Sequence, residues 1–261
     1  MGQLLNRLQQ KLKHRRKEAI AYFFNATKSA SSSSVQTVIF AQGRTGSTLL
    51  ESLLCSSGYF QRNGELLHPD RGEILFPTQF IRGLSKWQAD NNFIFHVKVY
   101  QLTEDRQRPI DPVRFLETLQ REGWKVIHLK RKNKVRHALS NVVFKHRGSG
   151  HKFDDRKEDI KITVNCERFT EQVNDRIRFE VAEKEVLANI DYHTVVYEDD
   201  LEKQSAHQET ANQIFDYLSL DRREVTTHHR KVIVLPLEEL ISNYDEFVGC
   251  LNQHGWQDFL D

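Results

Sequence analysis

Hydrophobic residues along this chain gather into short continuous blocks separated by longer stretches with helical spacing. Thr37-Val38-Ile39-Phe40 is such a block: four β-favouring residues, too few for a buried helix and bounded by small residues, predict a central parallel strand. Similar blocks predict strands at 93–100, 124–129 and 193–197. Between and after them the spacing predicts helices over 47–57, 111–122, 133–146, 167–189, 207–218 and 236–252. Strands that alternate with helices imply an α/β fold, a three-layer sandwich around a central parallel sheet of about four to five strands, with ligand beyond the strands' carboxyl ends.

Two segments lack periodicity. Residues 58–79 contain Asn63, Gly64, Pro69, Asp70 and Gly72, and 147–159 contain Gly148-Ser149-Gly150 among mixed charges. Both sit where an acceptor would enter, and the second reads as a mobile lid or disordered loop. Residues 3–24 form a basic helical candidate with Leu4, Leu5, Leu8 and Leu12 on one face, followed by the small, polar tract Ser29 to Ser34. The expected organisation is therefore a helix and linker over 1–34 and one domain over 35–261. Three uses are open to the helix: peripheral contact with an anionic membrane surface, packing against a second copy in a homodimer, or docking onto its own domain.

Charge and cysteine usage narrow the partners. Lys and Arg number 38 against 36 Asp and Glu, so bulk electrostatics does not point to nucleic acid. Between Arg121 and Lys152, however, Arg121, Lys125, Lys130, Arg131 and further basic residues face only Glu122, a concentration suited to steering an anionic ligand. For Lys132, Lys134 and Lys145 individually, a solvated helix face is the preferred reading. Cys55, Cys166 and Cys250 show neither metal spacing nor a paired framework, which suits buried thiols in a reducing compartment. With no apolar run near the ~20 residues that span a bilayer and no signal-peptide core, a soluble cytoplasmic protein is expected. His228-His229 lack partners at metal spacing, so no metal is assigned.

The chemistry lies where the first strand ends. Gly43 and Gly46 let the backbone approach an anion closely, and Ser47-Thr48 opens a helix whose free amides and positive dipole end would face it. The ATP/GTP loop GxxxxGK[ST] fails here, because Ser47 follows the last glycine and the cation is Arg44. No predicted strand ends in an aspartate for magnesium either.

Arg44-Thr45-Gly46-Ser47-Thr48 resembles the 5′-phosphosulfate loop of sulfotransferases, in which Lys or Arg followed by [ST]-G-[ST]-[ST] grips 3′-phosphoadenosine 5′-phosphosulfate (PAPS). Downstream, Arg131 after the strand Lys125-Val126-Ile127-His128-Leu129 and Ser140 on the next helix are similar to that family's pair for the 3′-phosphate, although many members space the pair one residue closer. Asn63-Gly64-Glu65-Leu66-Leu67, Val97-Lys98-Val99, Tyr197-Glu198-Asp199-Asp200-Leu201 and Ile241-Ser242-Asn243-Tyr244 resemble, in order, segments of its bacterial carbohydrate branch. The resemblance covers roughly 35–261 and implies a P-loop-like sulfotransferase fold. It also implies PAPS as cosubstrate without a metal, and a carbohydrate or glycolipid hydroxyl as acceptor. Gly43, Arg44, Thr45, Gly46, Ser47, Thr48, Arg131, Ser140 and Lys231 would bind the donor.

Sulfuryl transfer needs a base for the acceptor proton and cations around a loose, anionic transition state. The resemblance and the adjacent glycine make Glu65 the expected base, with His68 its rival, since an unperturbed imidazole near pKa ~6.5 suits proton abstraction. Arg44 cannot deliver a proton and would neutralise charge instead. Lys98, read at the midpoint of a central strand, is either a second electrophile or a salt-bridge partner of Glu65 or Glu198. Glu198 reads as architectural, ending a strand and capping the next helix. Tyr59, Phe60, Phe76, Phe80 and Trp87 suggest a sugar platform. A small-molecule kinase with an aberrant loop and a catalytically inactive nucleotide- or glycan-binding module are the competing readings.

Overall fold

The computed structural model describes residues 2–29, 34–88, 91–147, 161–229 and 235–260, with backbone alone for 2–11 and 147. Strands β1 (Gln36–Ala41), β2 (Phe60–Glu65), β3 (Asn92–Val97), β4 (Lys125–Lys130) and β5 (Tyr192–Val196) form one five-stranded, all-parallel sheet in the order β2-β3-β1-β4-β5. The helices are α1 (Gly2–Thr27), α2 (Ser47–Ser56), α3 (Pro77–Trp87), α4 (Val99–Leu102), α5 (Pro112–Arg121), α6 (Lys134–Arg147), α7 (Cys166–Val186), α8 (His207–Tyr217), α9 (Leu237–Leu240) and α10 (Tyr244–Gln253).

The continuous apolar strands follow from burial on both faces. Alternate side chains of a strand point oppositely. Val38, Phe40, Phe93, Phe95, Val97 and Val126 pack with α3, α5 and α7 on one face. Ile39, Ala41, Ile94, Ile127, Leu129 and Val195 pack with α2 and α8 on the other. A third cluster joins α6, the start of α7, α9 and α10 through Val135, Leu139, Phe169, Val173, Leu240 and Phe247. The chain leaves β1 toward β2 but leaves the adjacent β4 toward β5. Their carboxyl ends therefore frame a topological switch point, where α/β sheets bind ligands.

Several expectations need correction. Part of the irregular segment 58–79 is β2, an edge strand, and α3 begins at its end with Pro77 at the first turn. The strand reads Phe-Gln-Arg-Asn-Gly-Glu, and Gly64 at φ 66° shifts its pairing register, so no apolar block announces it. The strand expected to 100 ends at Val97. Lys98 starts the short α4 instead, with its N–H donated to the Gln101 side chain at 3.2 Å. The helix expected over 236–252 is broken at Ile241, which pairs with Ile162 in an isolated parallel bridge.

Cys166 and Cys250, expected as separate thiols, form a disulfide that ties the start of α7 to α10; Cys55 is free. Phe60 and Phe80, offered as a sugar platform, are core residues, and Trp87 stacks on Phe24 of α1. Lys134 is buried and paired with Glu180 at 3.1 Å, not solvated. Among the described residues no helix is long and apolar enough to cross a membrane.

Helix α1 docks on its own domain. Glu18, 4% exposed, accepts from the Tyr22 hydroxyl at 2.6 Å and from Leu75 N–H at 3.1 Å, and the Tyr22 hydroxyl in turn accepts from Phe76 N–H at 3.0 Å. The crossing with α3 is close because Gly83 has no side chain: a Cβ there would lie 1.7 Å from the Ala21 carbonyl oxygen. Gly83→Leu is therefore expected to displace α1, costing about 1–3 kcal/mol as an overpacked contact. Chemical denaturation measures the loss, and faster proteolysis between α1 and β1 reports the displacement.

Candidate functional site

The turn after β1, Gln42-Gly43-Arg44-Thr45-Gly46, is fixed from both sides. Gly43 N–H donates to the Tyr100 hydroxyl at 3.0 Å, and its carbonyl accepts from His137 Nε2 at 2.7 Å. His137 must carry its proton on Nε2 to make that bond, and complete burial holds its pKa well below 6.5, so the ring is neutral. A Cβ at Gly43 would lie 2.6 Å from the Tyr100 oxygen, so only glycine admits this contact. The Thr45 hydroxyl donates to the Gln42 carbonyl at 2.7 Å, closing the turn rather than facing outward.

Arg44 and Gly46 adopt left-handed backbone, φ 68° and 98°. Arg44 bears that conformation without being glycine, a local strain characteristic of ligand-holding turns. A Cβ at Gly46 would approach the Tyr197 ring to 2.9 Å. No side chain caps α2, so the first amides of Ser47 and Thr48 lack the partner that a Ser or Asp before the helix would supply. An uncapped helix start beneath a left-handed turn suits an oxyanion.

Arg44 and Arg131 follow the adjacent strands β1 and β4 and meet. Arg131 Nη1 lies 3.5 Å from the Arg44 carbonyl oxygen, and Arg44 Nε lies 3.4 Å from Ser140 Oγ. The Arg44 guanidinium lies over Phe144 and that of Arg131 over Tyr197, 4.8 and 4.5 Å from the ring centroids. Burial and the neighbouring Arg131 charge push the Arg44 pKa down, though a guanidinium stays charged at any ordinary pH. Glu198, expected to cap the following helix, instead accepts from Arg131 Nε (3.2 Å) and from the N–H groups of Lys132 and Asn133 (2.9 and 3.2 Å). It aims Arg131 and holds the loop that begins α6. Lys231 and the segment 148–160 lie outside the described residues.

Glu65 ends β2 and sits opposite the loop. Lys98 Nζ donates to Glu65 Oε2 at 2.6 Å and Gln101 Nε2 to the same oxygen at 2.8 Å; Lys98 Nζ is also 3.4 Å from the position a Gly43 Cβ would occupy. Lys98 thus bridges the carboxylate and the loop. Burial alone would raise the Glu65 carboxyl, but the Lys98 charge and these hydrogen bonds carry it below the ordinary carboxylate value. His68 Nε2 is 4.0 Å from Glu65, while its Nδ1 accepts from Asp70 N–H at 3.2 Å. A neutral His68 in that arrangement carries its proton on Nε2 and has no lone pair to offer toward Glu65.

Sequence reasoning overlooked the supports. Glu51, fully buried on α2, accepts from Asn63 N–H (3.1 Å), Gly64 N–H (2.7 Å) and Arg62 Nε (3.3 Å), with His96 Nε2 at 3.5 Å. It thereby fixes the two residues that precede Glu65. The signal was present: Glu51 interrupts the apolar face that Leu50, Leu53 and Leu54 make on α2. Tyr100 and His137 left no comparable mark, since only tertiary contact places them on Gly43. A comparison with protein-family models finds no match, and neither does one with characterised proteins.

Removing Glu51 should be costly. Glu51→Ala leaves buried donors unpaired, with an expected loss of about 3–5 kcal/mol in denaturant titration. Burial raises the Glu51 carboxyl, but hydrogen bonding to His96 and the two amides outweighs it, so the folded pKa lies below 4.5. A depressed carboxyl stabilises the fold above the unfolded value and loses that contribution as pH falls through the folded one. Glu51→Gln should therefore flatten the acid limb of stability below pH 4.5, as read by denaturation at stepped pH.

Proposed function

We propose that this protein is a PAPS-dependent sulfotransferase that moves a sulfuryl group to a hydroxyl of a carbohydrate or glycolipid, on a P-loop-like sulfotransferase fold. The observation that carries this reading is the meeting of Arg44, Arg131 and Ser140 at the ends of β1 and β4. Two fixed cations and a hydroxyl at one switch point suit a donor with anionic groups at both ends of its nucleoside.

The residues take distinct parts. Loop amides at Ser47 and Thr48 and the Arg44 guanidinium hold the 5′-phosphosulfate, while Arg131, aimed by Glu198, and Ser140 hold the 3′-phosphate. The acceptor oxygen attacks sulfur as the bond from sulfur to the bridging oxygen breaks. The electron pair of that bond leaves on the 5′-phosphate, and the acceptor's proton passes to the Glu65 carboxylate. Lys98, beside both the carboxylate and the loop, offsets charge on the transferred group. Glu65 outranks His68 because the ring nitrogen nearest the site already bears a proton. A magnesium-dependent kinase would need carboxylates free for the metal, yet Glu65 and Glu198 are engaged by Lys98 and Arg131.

Calorimetry should find adenosine 3′,5′-bisphosphate bound at least about tenfold more tightly than AMP, and Arg131→Gln should remove that preference. Equal affinity for the two nucleotides in the unaltered protein would refute the reading. Glu65→Gln is expected to lower turnover about 10²–10⁴-fold while donor affinity holds. Because the Glu65 carboxyl lies below 4.5, the rate should stay on its plateau down to that pH; an imidazole base would place the acid limb near ~6.5 instead.

A further inference from the structure

Among the described residues, Arg176 differs from the other buried arginine and lysine, Arg131 and Lys134, which are both ion-paired. It lies in the middle of α7 and is 8% exposed; its Nε is fully buried without a hydrogen-bond partner, and it makes no ion pair among the described residues. Neither Glu180 nor Glu183, which follow it on α7, makes an ion pair with it, although one oxygen of Glu183 is itself buried without a hydrogen-bond partner. Glu180, one turn on, pairs with Lys134 at 3.1 Å, and Glu183 faces His128 at 3.6 Å and Gln42 Nε2 at 3.2 Å. An arginine buried without a counter-charge is expensive, and such groups are retained where a ligand supplies the missing charge.

Its location identifies that ligand. The Arg176 carbonyl accepts from the side chain of Gln42, the first residue of the loop, at 3.2 Å. One turn further along α7, Phe179 packs on Tyr100, with ring centroids 4.8 Å apart, and the Tyr100 hydroxyl holds Gly43 N–H. The guanidinium charge acts on Arg44 and on His137, the residues on either side of the Gly43 carbonyl. Arg131, by contrast, lies at the Tyr197 and Glu198 side of the loop. Arg176, Arg131 and Lys98 thus stand on elements that touch the turn bearing Arg44, and of these four cations only Arg131 and Lys98 have carboxylate partners among the described residues, Glu198 and Glu65.

We propose that Arg176 is a third arginine of the donor site, pairing with the anionic group cradled at the Gly43 end of the loop, the 5′ side of the donor. The proposal rests on the sulfotransferase reading for the identity of the donor; the anion site itself rests on the burial of Arg176, its unpartnered Nε and the contact of its carbonyl with Gln42. It assigns the two ends of the ligand to different cations, Arg176 with Arg44 at the 5′ group and Arg131 with Ser140 at the 3′ group.

The test is calorimetry of adenosine 3′,5′-bisphosphate and AMP against the unaltered protein, Arg176→Gln, Arg176→Lys and Arg176→Met. Arg176→Gln should weaken both nucleotides about tenfold or more and to the same degree, keeping the ratio between them; Arg176→Lys should recover part of the loss. Thermal melting supplies the readout that a structural role would not give. Without ligand, Arg176→Met should melt no lower than the unaltered protein, because a buried unpaired charge is gone, while the rise in Tm on adding bisphosphate should shrink. Unchanged affinities in Arg176→Gln, a loss confined to the bisphosphate, or a lowered melting temperature of ligand-free Arg176→Met would each overturn the proposal. Failure of the unaltered protein to prefer bisphosphate over AMP overturns the donor's identity instead, and leaves the shared weakening of both nucleotides as the test of Arg176.

Discussion

The site depends on how the two polar groups of Gly43 are held. Its N–H goes to Tyr100, which follows β3, and its carbonyl goes to His137, which follows β4. The loop after the central strand is thereby tied to the segments leaving both neighbouring strands. Those two bonds fix the path into the left-handed Arg44 and Gly46, and so set where the amides of α2 point. A neutral His137 suits this part, since a protonated ring would add a buried charge near Arg176, Arg131 and Lys134.

Around that turn the electrostatics is deliberately unequal. Each carboxylate of the site is held by a cation: Glu65 by Lys98 and Glu198 by Arg131. Arg44 and Arg176 have no such partner among the described residues, so the ligand-free site carries surplus positive charge in a partly desolvated place. Under the proposed function a polyanion would satisfy both guanidiniums at once, and the burial that makes the free state unfavourable would strengthen the bound one. Glu51 holds the Asn63 and Gly64 amides, the two residues before Glu65, where Glu65 meets Lys98.

Much of this was legible in the chain. The blocks Thr37 to Phe40 and Val126 to Leu129 announced buried parallel strands, because a strand covered on both faces needs no polar alternation. Gly43-Arg44-Thr45-Gly46 announced a tight turn between the first of those strands and a helix, and the turn is there. Strand β2 was not legible: an edge strand with one buried apolar residue and a glycine irregularity looks like a loop until it pairs with β3. The break at Ile241 was equally hidden, because it exists for the sake of Ile162, some eighty residues away. The joining of Cys166 to Cys250 across 84 residues likewise needed α7 and α10 to be brought side by side.

The division follows from the range of the forces. Strand and helix periodicity and the glycines of the turn are properties of short stretches that local sterics and hydrophobic patterning set, while Arg44, Glu65, Arg131 and Ser140 stood out through short motifs that resemble a family's. Which cations lack a counter-charge is not local. That Glu180 turns to Lys134 and that Arg176 has no ion pair among the described residues were decided only when α7 packed against α6 and the end of β1, and Glu198 reached Arg131 only when β5 paired with β4. Burial sets the cost of a charge, and burial is known only once the chain has closed around it.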